Sequence, residues 1–596
     1  MTSKVKTVNK ITSDRLLSWL PYIVLFSGMY IWFTYVAGYI LFFQEKSALF
    51  ILSFDYLSET ITKPGGFVVW LSGLLTSFYY YPASGAIVIS LTITIISFIL
   101  SHTLFTLSGK NEKILPFVTA LLLFLLHTDY SYFLMNSLGI LLQILFFYFV
   151  IRTIHLMKGW LAIIFLPVLY FLTGGFVWVF IFLLILYFLL FFKERIVPRI
   201  SSIFVLMSLI FGVSGSFIFF ENASKLLFSP VIFPVEKLSA LLFTTTSILI
   251  ILLPLIAVVR FPVLNFFRLT YSSEKILRSA LLLCAVLLIS IYSFDRKDHN
   301  YFHVEKLFYE RKFGDIIRYN TEHPSTNSLT LFYNNIALSE TDQLNDKLFS
   351  FIQTSDGKTL FLKWEMVTEI LKRGGYFYYT TGMINEAHRW AYENIVMSGM
   401  TPEGIKMLIK TEVINCHYRM AEKYIRILKK TLFYKNEARR LEKFLYNDEA
   451  VESDAELGSG RKTRVKSDFF TITDDPIVNV ERVIQGDSLN RSAFGYFMAF
   501  SLLKKDYKSL SRNAVQYERL GYKAFPVHIE EALLAIETMN NSESAYKGCL
   551  KISKATQDRW IGFLTIFQQY GNNPRAAEPA LRKSYGNTFW YWAFYK

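Results

Sequence analysis

Four side chains near the beginning of the chain could do chemistry: Asp55, Glu59, His127 and Asp129. A carboxylate can act as a general base toward a hydroxyl group, and acids or a metal can neutralise a departing phosphate. Imidazole and carboxylate groups are also common ligands of divalent metals, so His127 and Asp129, two residues apart, could share one. The plainer alternatives are that Asp55 is a solvated loop acid, that His127 lies in a membrane interface and that Asp129 caps the following helix.

The elements that would position these residues are apolar segments of membrane-spanning length. Residues 1–294 contain about nine of them, whereas residues 295–596 have the charge content of a soluble protein. The sequence therefore predicts an all-α fold, in which a polytopic membrane helical bundle is followed by a soluble domain. The nine segments are Leu17–Phe43, Gly85–Leu107, Ile114–His127, Tyr132–Arg152, Trp160–Thr173, Phe176–Phe192, Ile200–Phe220, Leu238–Val259 and Leu277–Ser293.

Basic residues are distributed unequally among the connections between these segments. If the N-terminus is cytoplasmic, the cytoplasmic connections hold fifteen Lys and Arg residues and the opposite ones hold four. Cytoplasmic loops of membrane proteins carry such an excess. An odd number of spans then places residues 295–596 on the opposite side. We therefore expect a bacterial inner-membrane protein with a cytoplasmic N-terminus and a periplasmic C-terminal domain.

The longest outer connection covers residues 44–84. Its two aromatic and apolar stretches, Leu49–Leu57 and Phe67–Tyr81, are too short or too mixed to span a bilayer, and a Lys-Pro-Gly-Gly turn signal separates them. We expect two juxtamembrane helices that lie in the outer interface. Asp55 belongs to this connection and Asp129 to the next outer one, so the topology permits their carboxylates to meet.

Residues 295–596 show helical periodicity throughout, with almost no alternating strand pattern. Short connections join the helices in pairs, such as the helix from Pro402 to about Val413 and its partner Tyr418–Leu432. About 34 residues separate successive pairs, which is typical of tetratricopeptide repeats, although the full consensus is not met. The polar stretch 449–484 is expected to be a mobile loop. The sequence thus predicts a degenerate helical-repeat domain.

Composition limits the classes of function. Hydrophobic residues make up 53% of the chain, and the net charge is +15. The basic excess suits an anionic membrane surface, but no basic stripe interleaved with aromatic residues indicates nucleic-acid binding. Three cysteines exclude a disulfide framework. The expected partner is a membrane lipid or a lipid-linked molecule rather than nucleic acid, and the only cofactor suggested is a divalent metal at His127 and Asp129.

Five stretches of the chain are distinctive: Thr62–Gly66, Phe78–Pro82, His127–Tyr130, Ile384–Trp390 and the stretch from Leu408 to Tyr434. Together they resemble an uncharacterised bacterial family of multi-pass membrane proteins, domain of unknown function 6057. The resemblance covers nearly the whole chain. It implies the same two-part architecture and carries no established activity.

A second resemblance is architectural. The predicted order is a cytoplasmic N-terminus, a first outer loop with two juxtamembrane helices and acidic residues, another acid in the next outer loop, and a periplasmic domain. In this order the chain is similar to membrane glycosyltransferases of the C superfamily. The resemblance implies transfer of a sugar or related group from a lipid carrier, with Asp55, Glu59 and Asp129 as catalytic carboxylates. The tandem acidic motif that follows the first span in that superfamily is absent.

The alternative function is a non-enzymatic membrane scaffold whose repeats bind a periplasmic protein. The two functions differ in what they require of the outer face. An enzyme needs a polar cavity with Asp55 and Asp129 in its wall, whereas a scaffold needs an accessible repeat surface.

Overall fold

The computed structural model is helical, and no residue of its described part lies in a β-strand. Contacts divide the chain into two compact units, each described by itself below: unit 1, Met1–Asp295 with Lys430–Phe433, and unit 2, Arg296–Lys429 with Tyr434–Lys596. The boundary lies one residue from the predicted one. The described residues are 2–109, 114–157, 160–191, 196–213, 217, 219–259, 271–365, 367–465, 469, 471–472, 474–540, 548 and 550–596.

Unit 1 consists of helices joined by short connections, with 3-10 turns at Phe78–Tyr80 and Gly174–Phe176. The long apolar α5 shows how the sequence sets the bounds of a helix. It begins with Pro82, whose missing N–H is unneeded in a first turn, and it ends at Ser108, where the next residue, Gly109, has a positive φ of 68°. The helices are α1 Thr2–Tyr35, α2 Gly38–Ser47, α3 Phe54–Ile61, α4 Gly66–Ser77, α5 Pro82–Ser108, α6 Ile114–His127, α7 Leu134–Met157, α8 Trp160–Ile164, α9 Leu166–Thr173, α10 Val177–Phe191, α11 Ile196–Val213, α12 Ala223–Phe228, α13 Lys237–Ile251, α14 Leu253–Val259 and α15 Tyr271–Tyr292.

Several helices of unit 1 are apolar and long enough to cross a membrane. Among the described residues there are five such helices, or six if α13 and α14, bent by 55°, form one span. Three further apolar helices are shorter: Gly66–Tyr80, Ile114–His127 and Val197–Ile210. The five long helices are Leu17–Tyr35, Pro82–Ser108, Leu134–Thr153, Leu166–Phe191 and Ser273–Tyr292.

The fourth of these long helices is interrupted by a reversal at Gly174. The rings of Phe165 and Phe180 both pack on the ring of Phe146, with centroid distances of 6.2 and 5.1 Å. Residues so far apart in sequence would be separated by roughly 22 Å along a straight helix. The chain therefore turns back between them, where Gly174 has a φ of +60° and a ψ of −133°. Helices α9 and α10 are the two arms of a hairpin.

The connection 44–84 contains two helices, as predicted, although the first begins later than expected. Helix α3 begins at Phe54 rather than Leu49, because the Ser53 hydroxyl accepts a hydrogen bond from the Tyr56 N–H and caps the helix there. A short turn leads from α3 into α4. The placement of α3 and α4 in a membrane interface stays a prediction.

Unit 2 is also built from consecutive helices, with a 3-10 turn at Leu348–Ser350. They are α16 Arg296–Tyr309, α17 Phe313–Glu322, α18 Ser328–Glu340, α19 Leu344–Lys347, α20 Thr368–Thr380, α21 Ile384–Ser398, α22 Pro402–Ile414, α23 Tyr418–Lys429, α24 Lys435–Glu442, α25 Asp448–Ser453, α26 Leu457–Thr463, α27 Pro476–Gly486, α28 Arg491–Lys504, α29 Tyr507–Asn513, α30 Gln516–Arg519, α31 Val527–Asn540, α32 Lys554–Gln569, α33 Pro574–Tyr585 and α34 Phe589–Tyr595.

Helices α20 to α23 form two successive pairs of similar length. Helix α22 begins 34 residues after α20, and α23 begins 34 residues after α21. Within the first pair, Trp390 of α21 is fully buried against Gly374 of α20. A Cβ atom on Gly374 would lie 2.1 Å from the Trp390 ring, so this helix crossing requires glycine.

The predicted loop 449–484 is wrong over most of its described length. Helices α25, α26 and α27 occupy much of it, and Leu457 is buried. Glu456, in the same stretch, accepts hydrogen bonds from Lys410 at 2.8 Å and from Arg311 and Tyr379 at 3.1 Å. The polar composition that suggested a loop therefore includes a carboxylate that is paired inside the fold.

Candidate functional site

Asp129 lies in the turn between α6 and α7, and both of its carboxylate oxygens are occupied. Oδ1 accepts hydrogen bonds from the Ser131 N–H at 2.8 Å and the Ser131 hydroxyl at 2.7 Å. Oδ2 accepts a 2.6 Å hydrogen bond from the hydroxyl of Ser239, in the first turn of α13. The carboxylate closes an Asx-type turn rather than capping α7, and it ties that turn to a helix distant in sequence.

His127 is enclosed at the end of α6 rather than exposed at an interface. Its side chain is fully buried, and Nε2 lies 2.9 Å from the hydroxyl of Ser137. The Tyr132 ring packs edge-on against the imidazole, with centroids 4.9 Å apart. The histidine thus holds α6 against the beginning of α7.

The residues around His127 and Asp129 do not fit a metal site well. Within the described part of the chain, no group of three or more His, Cys, Asp or Glu side chains could hold a metal ion. Nε2 of His127 already faces Ser137, and the oxygens of Asp129 already accept from Ser131 and Ser239. A metal would have to displace these partners and find further ligands, so the structure adds no support to the predicted metal.

Asp55 and Glu59 are exposed on α3, in contrast to Asp129. Asp55 lies in the first turn, where a negative charge is favourable near the positive end of the helix dipole. In the described structure its carboxylate has no hydrogen-bond or ion-pair partner, and only its backbone carbonyl accepts from Ser58, at 2.9 Å. Among the described residues no hydrogen bond or ion pair joins Asp55 to Asp129. The convergence of the two carboxylates on one substrate stays a prediction.

The predicted outer connections do meet one another, through hydrogen bonds that involve the main chain. The Gln44 side chain donates to the carbonyls of Tyr130 at 3.2 Å and Tyr132 at 2.9 Å, which joins the first outer connection to the turn between α6 and α7. The Asn136 side chain, in the first turn of α7, donates to the carbonyl of Ile232 at 2.7 Å and accepts from its N–H at 3.3 Å, which joins the beginning of α7 to the connection between α12 and α13. Together with the Ser239 bond, these contacts gather the connections into one cluster.

Glycine residues complete this cluster at the tip of the α9–α10 hairpin. The Gly65 N–H donates to the carbonyl of Phe171 at 3.3 Å, and the Gly175 N–H donates to the carbonyl of Ser229 at 2.7 Å. A Cβ atom on Gly174 would lie 2.2 Å from the Ser229 carbonyl oxygen. Only glycine permits backbones to approach so closely.

Sequence analysis missed Gln44, Asn136 and Ser239 as parts of this cluster. The available signal was a polar residue within a turn or two of the end of an apolar segment. That signal shows that a partner is needed but does not identify it, because each partner lies tens of residues away along the chain.

The comparison with protein families matches residues 15–596 to a family of unknown function, DUF6057. The chain belongs to this family. The match covers α1 to α34 almost completely, so both units are part of what defines DUF6057. No curated protein and no solved structure shows significant similarity to the chain. For this DUF6057 protein, function must therefore be argued from its own geometry.

Proposed function

We propose that the chain is a bacterial inner-membrane protein that displays a partner-binding, tetratricopeptide-like domain in the periplasm. In this proposal unit 1 crosses the membrane about nine times, with the N-terminus in the cytoplasm. Unit 2 binds a protein partner. The observation that carries the binding function is the 34-residue recurrence of the helix pairs α20–α21 and α22–α23.

The span count is supported by how the outer connections meet. Six candidate spans include the bent pair α13–α14. The reversal at Gly174 divides one of them into two arms, and the short apolar helices α6 and α11 add two more. With nine passes, the connections that contain Gln44, Tyr132, Gly175 and Ser229 all fall on one side, which agrees with their mutual hydrogen bonds.

The partner surface proposed for unit 2 includes the outward side of α21. Tyr392 and Val396 lie one helical turn apart and are 49% and 62% exposed. Exposed apolar and aromatic side chains of this kind are common in protein interfaces. The buried side of the same helix carries Trp390, so α21 presents an apolar side chain on both its faces.

The second candidate function is a glycosyltransferase-like reaction that uses a lipid-linked donor. The observation that favours it is the exposed Asp55 carboxylate, which has no described partner and is followed one turn later by Glu59. Such a carboxylate is available to accept a proton from a hydroxyl group. Asp129 would then act as a structural residue, because its oxygens are occupied by serine hydroxyl and amide groups.

A complementation assay distinguishes the two functions. The binding function predicts that Asp55→Asn is silent and that Tyr392→Ala combined with Val396→Asp abolishes function. Leu489→Asp is the control, because Leu489 is 66% exposed in unit 2 but lies outside the repeat helices. Abundance in the membrane is measured for every variant. Loss of function in Asp55→Asn at normal abundance, with the α21 double variant active, would instead favour the transferase.

A further inference from the structure

Unit 2 contains a polar cavity of about 220 Å³ that neither function uses. It lies where α18 ends, α28 begins and the chain passes through residues 521–526. Its polar lining includes Ser339, Glu340, Asp342, Asn345, Arg491 and Tyr522. With about 30 Å³ for each water in the liquid, this volume corresponds to roughly seven waters, which suits a ligand the size of an amino acid.

One wall of the cavity is positive. Arg491 is the first residue of the 14-residue helix α28, so its guanidinium group and the positive end of the helix dipole face the same space. The guanidinium carbon lies 4.9 Å from the centre of the Tyr522 ring, which holds the side chain in place while leaving it half exposed. A carboxylate is the ligand group that matches a guanidinium beside a helix N-terminus.

Oxygen acceptors lie beside this guanidinium group. Asp342 has a φ of +55°, and its carboxylate accepts a hydrogen bond from the Tyr522 hydroxyl. Its other oxygen lies 3.5 Å from the guanidinium of Arg491, a loose pair that a ligand can separate. Glu340, by contrast, is already engaged by Arg311 and Thr380.

Asn345 is a buried polar residue of the cavity wall. The residue is 5% exposed, and its Nδ2 donates to the Gly495 carbonyl and the Tyr517 hydroxyl, both at 3.1 Å. These two hydrogen bonds join α19 to α28 and α30 and so fix this part of the cavity wall.

We infer that this cavity binds a small zwitterion, namely a free amino acid. The carboxylate of the ligand pairs with Arg491 at the beginning of α28. Its ammonium group donates to Asp342. The inference depends on neither function proposed above.

Isothermal titration calorimetry on the full chain in detergent tests this inference. Each of the twenty L-amino acids is titrated singly, with acetate and ethylamine as ligands that carry only one of the two charges. We expect saturable binding of at least one amino acid and much weaker binding of acetate and ethylamine. Arg491→Gln and Asp342→Asn should each weaken the binding by about tenfold or more, because each removes one charge pair.

The variants are chosen so that folding is preserved. Asparagine tolerates the positive φ of position 342, and glutamine keeps much of the length of arginine. Arg318→Gln and Asp315→Asn, which break an exposed ion pair on α17, are the matched controls and should bind normally. The inference is overturned if no amino acid binds, if acetate or ethylamine binds equally well, or if both cavity variants, folded by circular dichroism, retain full affinity.

Discussion

The hydroxyl of Ser239 donates a 2.6 Å hydrogen bond to Oδ2 of Asp129, across 110 residues of sequence. This bond fixes the beginning of α13 to the turn between α6 and α7. It gives Asp129 a structural role in a position where sequence analysis suggested a catalytic one.

The first prediction concerns this bond. Ser239→Ala should lower the stability of the detergent-solubilised protein by roughly 1.5–3 kcal/mol, because it removes a hydrogen bond to a charged group. Thr244→Ala in the same helix is the control, since among the described residues that hydroxyl bonds to the Ala240 carbonyl one turn earlier and to no distant partner. The melting temperature of each variant is measured by thermal unfolding. Equal melting temperatures for the two would refute the structural role of the bond.

The second prediction concerns the tip of the α9–α10 hairpin. Gly174→Ala should destabilise the protein by about 2 kcal/mol or more, because a Cβ atom would collide with the Ser229 carbonyl and position 174 has a positive φ. Gly212→Ala is the matched control, because no atom of the described residues lies within 4 Å of a Cβ atom there. Abundance in the membrane and thermal unfolding are the measurements. A stable Gly174→Ala protein would contradict the close approach of the two backbones.

The third prediction concerns pH. Burial alone would raise the pKa of Glu456, but Lys410 and Arg311 outweigh it and lower the pKa from 4.5 to about 2. Because the pKa is lower in the folded state than in the unfolded state, the carboxylate contributes its full stabilisation at pH values above the ordinary pKa of 4.5. The contribution, of the order of 3 kcal/mol, is lost as the pH falls from about 4.5 toward 2.

Glu456→Gln tests this pH dependence. The variant should unfold at a lower temperature than the parent protein at pH 7, and the difference should shrink as the pH falls below about 4.5. Glu422→Gln breaks a surface ion pair with Arg426. It should change the melting temperature little, both at pH 7 and below about pH 4.5. If the difference in melting temperature between Glu456→Gln and the parent protein does not change with pH, the assigned ion pairs are not the cause of that difference.

The fourth prediction concerns topology. Alkaline phosphatase fused after Lys596 should be active, because the enzyme folds only outside the cytoplasm and the basic residues favour a periplasmic C-terminus. A green fluorescent protein fused at the same position is the complementary control and should be dark. The reverse pattern would require either an even number of spans or a periplasmic N-terminus.

Local sequence signals predicted much of the fold. The 34-residue recurrence of helix pairs is visible because it depends on positions within one short stretch, and the helices α22 and α23 begin at Pro402 and Tyr418. The turn between α3 and α4 was likewise signalled by Pro64 and Gly65. The family resemblance, stated from five short stretches, is confirmed by a match over residues 15–596.

The contacts that decide the candidate site could not be predicted in the same way. In sequence, nothing distinguishes the carboxylates of Asp129 and Glu456 from that of Asp55. In the structure, Asp129 and Glu456 are paired with residues far along the chain, whereas Asp55 has no described partner. The loop predicted at 449–484 was wrong for this reason, since a polar composition does not distinguish solvated charges from ion-paired ones.

The hydrogen bond from Gly65 to Phe171 also sets a limit on the order of assembly. A ribosome that adds about 5–20 residues per second needs roughly 5–20 s to extend the nascent chain from the first of these residues to the second. During that interval the Gly65 N–H can be satisfied only by water or a temporary partner. Under the proposed topology, the outer connections of unit 1 therefore meet only after its early helices have entered the bilayer, and an insertase or chaperone that keeps the first outer connection hydrated would act within that interval.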